Sequence, residues 1–216
     1  MDKIKYPRTP HLPWSNWSKE DTVLLDLNQF NNPCIILEKM DGENTSMTRD
    51  YIWARSLDSN NHESRSWVKG LWGKIKYVIP DNMIICGENM YAKHSIYYDD
   101  LESYFLVFNI WDKNTCLSWD DTKSICKILG LKTVPELQKV ISVYALKLYH
   151  AKTWNNKYIK DSNYFDKKEG YIIRTVNSFP REDFSKNVAK YVRPNHVQTN
   201  IHWTKDWIPN RLKSLT

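Results

Sequence analysis

Three stretches of the chain carry more apolar side chains than one face of a strand can hide: CIILEKM (34–40), NMIICGENMY (82–91) and YFLVFNIWD (104–112). Runs of this kind predict strands covered on both faces. A fourth, TSMTRDYIWA (45–54), alternates and reads as one half-buried strand. GYIIRTV (170–176) and NVAKYVR (187–193) add two more. Between them SWDDTKSICKILGL (118–131) reads as a helix, with Ser118 as cap, Asp121 three residues on and Gly130 at its end. PELQKVISVYALKLYH (135–150) places Leu137, Val140, Ile141, Tyr144 and Leu148 on one stripe, which predicts a second helix. SRSWVKGLWGKIK (64–76) is basic and interleaved with Trp; an amphipathic helix explains it better than a nucleic-acid surface does. The first thirty residues, rich in Pro, Trp and Asn, read as an irregular lead-in. The last stretch, polar and Trp-bearing, reads as an extension that packs on the body. Blocks of strands with helices between them predict an α+β fold, with largely antiparallel sheets and flanking helices.

Composition changes this picture little. A chain of 216 residues supports one good-sized core, and no internal repeat or low-complexity linker divides it. The net charge of +6 leans mildly toward a polyanionic partner. Ten Trp and thirteen Tyr fit either an aromatic core or stacking surfaces for bases. Cys34, Cys86, Cys116 and Cys126 form no C-x-x-C pair, which predicts buried free thiols in a reducing compartment. The N-terminus lacks a signal-peptide apolar stretch, and no run reaches membrane-span length. A soluble, cytoplasmic protein with no membrane partner is expected.

The candidate chemistry begins with KMDG (39–42). A lysine at the end of a buried strand is a nucleophile if burial and a neighbouring cation lower its pKa. Glu88 in CGEN, Phe108 in FLVFNIWD, Glu169 in KKEGYIIR and Lys190 in NVAKYVR all lie at the edges of predicted core strands. Two carboxylates suit a divalent metal that holds phosphate oxygens, a second lysine suits a phosphate charge, and an aromatic suits a stacked base.

In order and spacing, KMDG, CGEN, VFNIWD, EGYIIR and AKYVR resemble the motifs of the covalent nucleotidyltransferases: ATP-dependent RNA and DNA ligases and mRNA capping enzymes. KMDGEN, with Asn44 five residues after the lysine, and ARS (54–56), with Arg55, look closest to the RNA-ligase-2-like group. The resemblance implies a ligase-type nucleotidyltransferase fold, ATP-grasp-like in outline. It also implies an ATP-dependent RNA ligase that seals 5′-phosphate and 3′-hydroxyl RNA ends, in RNA repair, using ATP and Mg2+ or Mn2+. An end-healing kinase-phosphatase partner is a further implication, and the oligomeric state is left open.

Carried over by position, Lys39 takes AMP covalently and Glu38 contacts the adenine edge. Asn44 and Arg55 orient the nucleotide phosphate or a metal-bound water. Glu88 holds the ribose or metal, Phe108 stacks on adenine, Glu169 is a metal-side carboxylate and Lys190 binds the α-phosphate. His11, beside Arg8, is a candidate pyrophosphate contact, although a satisfied histidine in an ordered arm explains it better. Lys93 and His94 are candidates for the 5′-phosphate end.

Two departures stand out. The last motif usually has two lysines flanking one residue, and here only Lys190 fits, with Arg193 on the opposite face. Asn109 stands where Asp is common. Phe105 is a second candidate stacker, facing away from Phe108 if the strand is regular. With 23 residues after Arg193, residues 1–216 are expected to form a single adenylyltransferase domain with a short N-terminal arm and C-terminal extension, and no OB domain. The alternatives are a DNA ligase, a GTP-dependent capping-type enzyme, or a binding module that keeps the fold without the chemistry.

Overall fold

The structure, a computed structural model, describes residues 2–154, 168–194 and 207–214. Two sheets face each other. The smaller has four strands in the order β11 (Val188–Val192), β9 (Gly170–Thr175), β1 (Cys34–Lys39) and β8 (Glu136–Val140), all neighbours antiparallel. The larger runs β10 (Phe179–Pro180), β6 (Thr115–Cys116), β5 (Phe105–Asp112), β4 (Met83–Asn89), β2 (Glu43–Met47) and β3 (Ile52–Ala54). The short β7 (Lys132–Thr133) pairs parallel to β5.

Continuous apolar strands are explained by cover on both faces. On β1, Cys34 and Ile36 join a core with Tyr171, Ala189, Tyr191 and Leu146 of α3 (Val143–Thr153). Ile35 and Leu37 point the other way, into the space between the sheets. On the larger sheet, Ile85, Phe105, Val107 and Ile110 pack under α1 (Ser66–Ile75) and α2 (Trp119–Leu129). Ile84, Cys86 and Trp111 face inward. All four cysteines are buried and free.

The helix at 118–131 forms as its sequence predicts. The Ser118 hydroxyl accepts from Asp121 N, and Gly130 ends it. α1 spends its tryptophans on packing, and Trp72 donates to the Thr48 carbonyl at 2.7 Å.

Two predicted elements are corrected. Residues 45–54 are not one strand. Thr48 Oγ1 accepts from the backbone of Asp50 and Tyr51, making a turn that splits them into β2 and β3. Residues 135–150 are not one helix. β8 takes Glu136–Val140, and α3 begins at Val143 with Ser142 capping Ala145 N. The predicted stripe is broken: Ile141 is 72% exposed and Tyr144 76%. β8 is an edge strand, held by its ladder to β1 and little by side-chain burial.

The irregular lead-in has a definite place. Its backbone flanks Lys190: Lys190 N donates to Pro10 O at 2.9 Å, and Leu12 N donates to Lys190 O at 2.8 Å. Asn16 N donates to Val192 O at 2.9 Å. The lead-in therefore pairs with β11 as an added, irregular edge. At the other end, the Asn210 side chain donates to the carbonyls of Met90 and Ala92 and accepts from Tyr98 N, which seats residues 207–214 on the body. Residues 195–206 of the predicted extension lie outside the described residues.

Buried His11 and partly buried His150 are both pushed down to about 4, His11 by burial and then Lys190, His150 by burial. The unfolded chain binds more protons than the native one between that value and the ordinary 6.5. Stability should therefore fall as pH drops from about 6.5 toward 4. On the order of 1–2 kcal/mol per histidine is expected to be lost by pH 5. Thermal melts of wild type and His11→Asn across this window check the slope, which should flatten in the variant.

Candidate active site

The alternation of each strand aims one set of side chains into the space between the sheets. On β1 it is Ile35, Leu37 and Lys39; on β11, Val188 and Lys190; on β9, Ile172 and Arg174; on β4, Ile84, Cys86 and Glu88. Beyond the apolar layers this space opens into a cavity of about 320 Å³. Glu38, Lys39, Asn44, Arg55, Glu88, Phe108 and Lys190, singled out from the sequence, all line it.

β5 departs from regular alternation here. Cys86 pairs with Asn109 and Gly87 with Val107, so Phe108 is the extra residue of a β-bulge. Phe108 and Asn109 therefore both face the cavity, while Phe105 faces α1 and α2. Asn109 links the N-terminal arm to the sheets: it donates to the Tyr6 hydroxyl and accepts from Arg174 Nη1. Tyr6 meets Phe108 edge-on, centroids 5.2 Å apart.

Lys39 Nζ donates to Glu169 Oε2 at 2.6 Å. The pairing of β1 with β9 dictates this contact, because Lys39 sits opposite Gly170. Burial alone would drive Lys39 down. Glu169 and Glu88, with Asp41, outweigh it and hold the ammonium above the ordinary lysine value. The expected lowered pKa is thus not a property of the protein side chains by themselves. Burial pushes Glu88 up to about 8, against the opposing pull of Lys39. Burial, then the Lys39 charge, holds Lys190 below its ordinary value.

The rest of KMDG is structural. Asp41 Oδ2 accepts from Ser95 N and Ile96 N, each at 2.8 Å, and Asp41 N donates to the Tyr98 hydroxyl at 3.1 Å. At Gly42 a Cβ would lie 2.6 Å from Asn89 O, so the chain passes where no side chain fits. Asp41→Ala is expected to cost about 2–3 kcal/mol, since it strips a charged acceptor from two backbone N–H groups. Chemical denaturation checks it; a loss under 0.5 kcal/mol would contradict this role.

Glu38 sits at the cavity wall with its carboxylate already engaged, and His11, Lys93 and His94 lie outside the cavity. Glu38 is buried and its carboxylate accepts from Lys168 Nζ at 2.6 Å. His11 is buried in the arm, its Nδ1 2.8 Å from Ser15 Oγ and its Nε2 3.5 Å from Asp21 Oδ1. Lys93 anchors its backbone N–H on Ile208 O, and His94 lines a neighbouring cavity. Arg193 donates to Lys168 O and is turned away from Lys190.

The sequence reading did not assign Tyr6, Arg8, Asp21 or Arg174 to the cavity, yet all four line it. Arg174 was findable: it sits two residues after Ile172, on the same face. It is 1% exposed, and it donates also to Leu117 O and Thr175 O. The arm residues carried no periodic signal.

Among the described residues no three His, Cys, Asp or Glu side chains converge as a metal cage. Mg2+ does not need one, since it binds through one or two carboxylates with water and substrate phosphates. Glu88 and Glu169 fit that demand. Asn44, paired across the ladder with Glu88, has a buried Oδ1 with no hydrogen-bond partner among the described residues.

The RNA ligase family profile matches residues 32–192. The chain belongs to the RNA ligase family. Its fold is that of solved nucleotidyltransferase-type ligases. A mutant of the Naegleria gruberi RNA ligase with ATP and Mn matches with a TM-score of 0.50 and 15% identity, over 79% of this chain and 52% of that one. A second mutant of that enzyme, also with ATP and Mn, gives 0.51 and 14%, over 92% and 63%. A putative ATP-dependent DNA ligase from Aquifex aeolicus gives 0.49 and 17%, over 87% and 49%. The chain thus spans about half to two-thirds of these structures. No curated protein matches it in sequence. Among the described residues no helix is long and apolar enough to cross a membrane.

Proposed function

We propose that the chain is an ATP-dependent RNA ligase, acting in RNA repair through a covalent lysyl-AMP intermediate, with residues 1–216 forming one adenylyltransferase unit. The observation that carries this is Lys39 Nζ, 2.6 Å from a carboxylate, at a cavity shared with Glu88, Phe108 and Lys190.

In the first step Nζ attacks the α-phosphorus of ATP. A P–N bond forms, the bond to the bridging oxygen breaks, and pyrophosphate leaves. Nζ must first lose a proton, and Glu169 Oε2 is in place to take it. Lys190 sets positive charge against the α-phosphate, and Phe108 offers a face to adenine. Glu88 and Glu169, with Asn44 across the ladder from Glu88, are the groups that would hold Mg2+ or Mn2+; the ion would supply positive charge that neutralises phosphate and lowers the Lys39 pKa. AMP then passes to an RNA 5′-phosphate, with Arg55 and Asn44 at that junction and His94 beyond it. Last, an RNA 3′-hydroxyl attacks the adenylated end and AMP leaves. Breaks with other end chemistry need a kinase-phosphatase first.

Incubation with α-labelled ATP or GTP and magnesium, followed by a denaturing gel, tests this. A label on the protein from ATP, stable to alkali and lost in acid, is expected of a phosphoramidate. Label from GTP alone points to capping chemistry. Label from neither overturns the reading.

A further inference from the structure

Two further cavities adjoin the one that holds Lys39. One, of about 560 Å³, shares Glu38, Met40 and Val134 with it. Its wall carries Glu38, Asp99, Asp100, Glu102 and Glu136 against two lysines, one already bound to Glu38. That surface repels a polyanion. The other, of about 630 Å³, shares only Asn44 and Arg55 with the Lys39 cavity.

This second groove is built by the chain leaving β3. Arg55 N donates to Asn44 O at 2.9 Å, and five of the next seven residues line the groove together with Gly42 and Glu43. Its lining beyond the junction is Ser56, Ser59, Asn60, Asn61, His62 and His94. Glu43 and Arg65 also line the groove, half-buried and paired with each other: Arg65 Nε donates to Glu43 at 2.7 Å. With Glu43 and Arg65 offsetting each other, the groove offers mainly serine hydroxyls and asparagine amides, the groups that read ribose hydroxyls and base edges, and Arg55 adds a further positive charge.

An adenylated RNA end has the same layout. AMP is joined through one phosphate bridge to a ribose and a base. Arg55 and Asn44 are the residues shared by both cavities, so with AMP in the first the bridge would fall beside the Arg55 guanidinium, which can donate to it. We infer that the groove walled by Ser56, Ser59, Asn60, Asn61, His62 and His94 seats the first nucleotides of the RNA strand that carries the 5′-phosphate. This rests on the ligase reading above and names which surface holds that strand.

The test uses the full chain and an RNA strand already adenylated at its 5′ end, which needs no ATP. Asn60 is exposed, so Asn60→Ala and Asn60→Trp should fold. Sealing of the adenylated strand is expected to slow about tenfold in Asn60→Ala, the worth of one hydrogen bond, and further in Asn60→Trp. Lysyl-AMP formation should stay within about twofold of wild type in both. Asp100→Trp, in the acidic cavity, should seal as wild type does. Unchanged sealing by Asn60→Trp overturns the groove, as does loss in Asp100→Trp alone. A wild-type chain that forms no lysyl-AMP and seals nothing removes the ligase reading and the groove with it.

Discussion

Lys39→Ala is expected to form no covalent AMP adduct, a loss of at least about a thousandfold, because the proposed P–N bond is made by Lys39 Nζ. Lys39→Arg sharpens the result. It keeps a cation beside Glu169, and so keeps most of the ion pairing on which that corner depends. A guanidinium cannot be deprotonated in a protein, so it offers no nucleophile. Arg at this position should therefore hold the native melting temperature within a few degrees and give no labelled band. Both variants should still seal an adenylated strand at a measurable rate, because that step needs no P–N bond. A labelled band in Lys39→Arg would move the nucleophile elsewhere in the cavity.

Gly170→Ala is expected to be the most damaging single methyl in the fold. An added Cβ would lie 1.9 Å from Tyr191 O, a backbone atom of the next strand. β9 and β11 are paired at this point, Gly170 opposite Val192, so the strands must separate or the ladder must slip. About 3 kcal/mol or more is expected, against about 1 for a typical point change. The damage also falls at the proposed site, since Glu169 precedes this residue and Lys190 lies on the displaced strand. Denaturant melts and adduct formation should fall together. Wild-type stability in this variant would contradict the close approach. The two-letter signature Glu-Gly thus has two causes. The acid serves Lys39, and the glycine lets β11 come close enough to bring Lys190.

Much of this was legible because burial on both faces leaves a plain trace. β1, β4, β5, β9 and β11 each appear as an apolar run, and the residues that end or interrupt those runs, Lys39, Glu88, Phe108, Glu169 and Lys190, meet around one cavity. β8 was not legible. It is an edge strand of largely exposed side chains, and its residues fall by accident at helical spacing with those of α3. The bulge at Phe108 depends on register with β4, which no single strand encodes. The arm that supplies Tyr6, Arg8 and Asp21 has neither period, because its backbone is satisfied by β11 and by turns of its own. The Lys39 charge was misjudged for a different reason: burial was weighed, and the two glutamates that outbid it act across strand pairings invisible in the sequence.

The pairing of the arm with β11 bears on how the protein is cut for expression. The family match begins at residue 32, which invites a clone that starts there. Such a fragment would lack Pro10, Leu12 and Asn16, and β11 would present bare backbone donors and acceptors along its outer side. An exposed strand of that kind recruits another chain. Insolubility of the trimmed fragment would then reflect a sheet left open at its rim, together with a Lys39 cavity that has lost the wall supplied by Tyr6, Arg8 and Asp21.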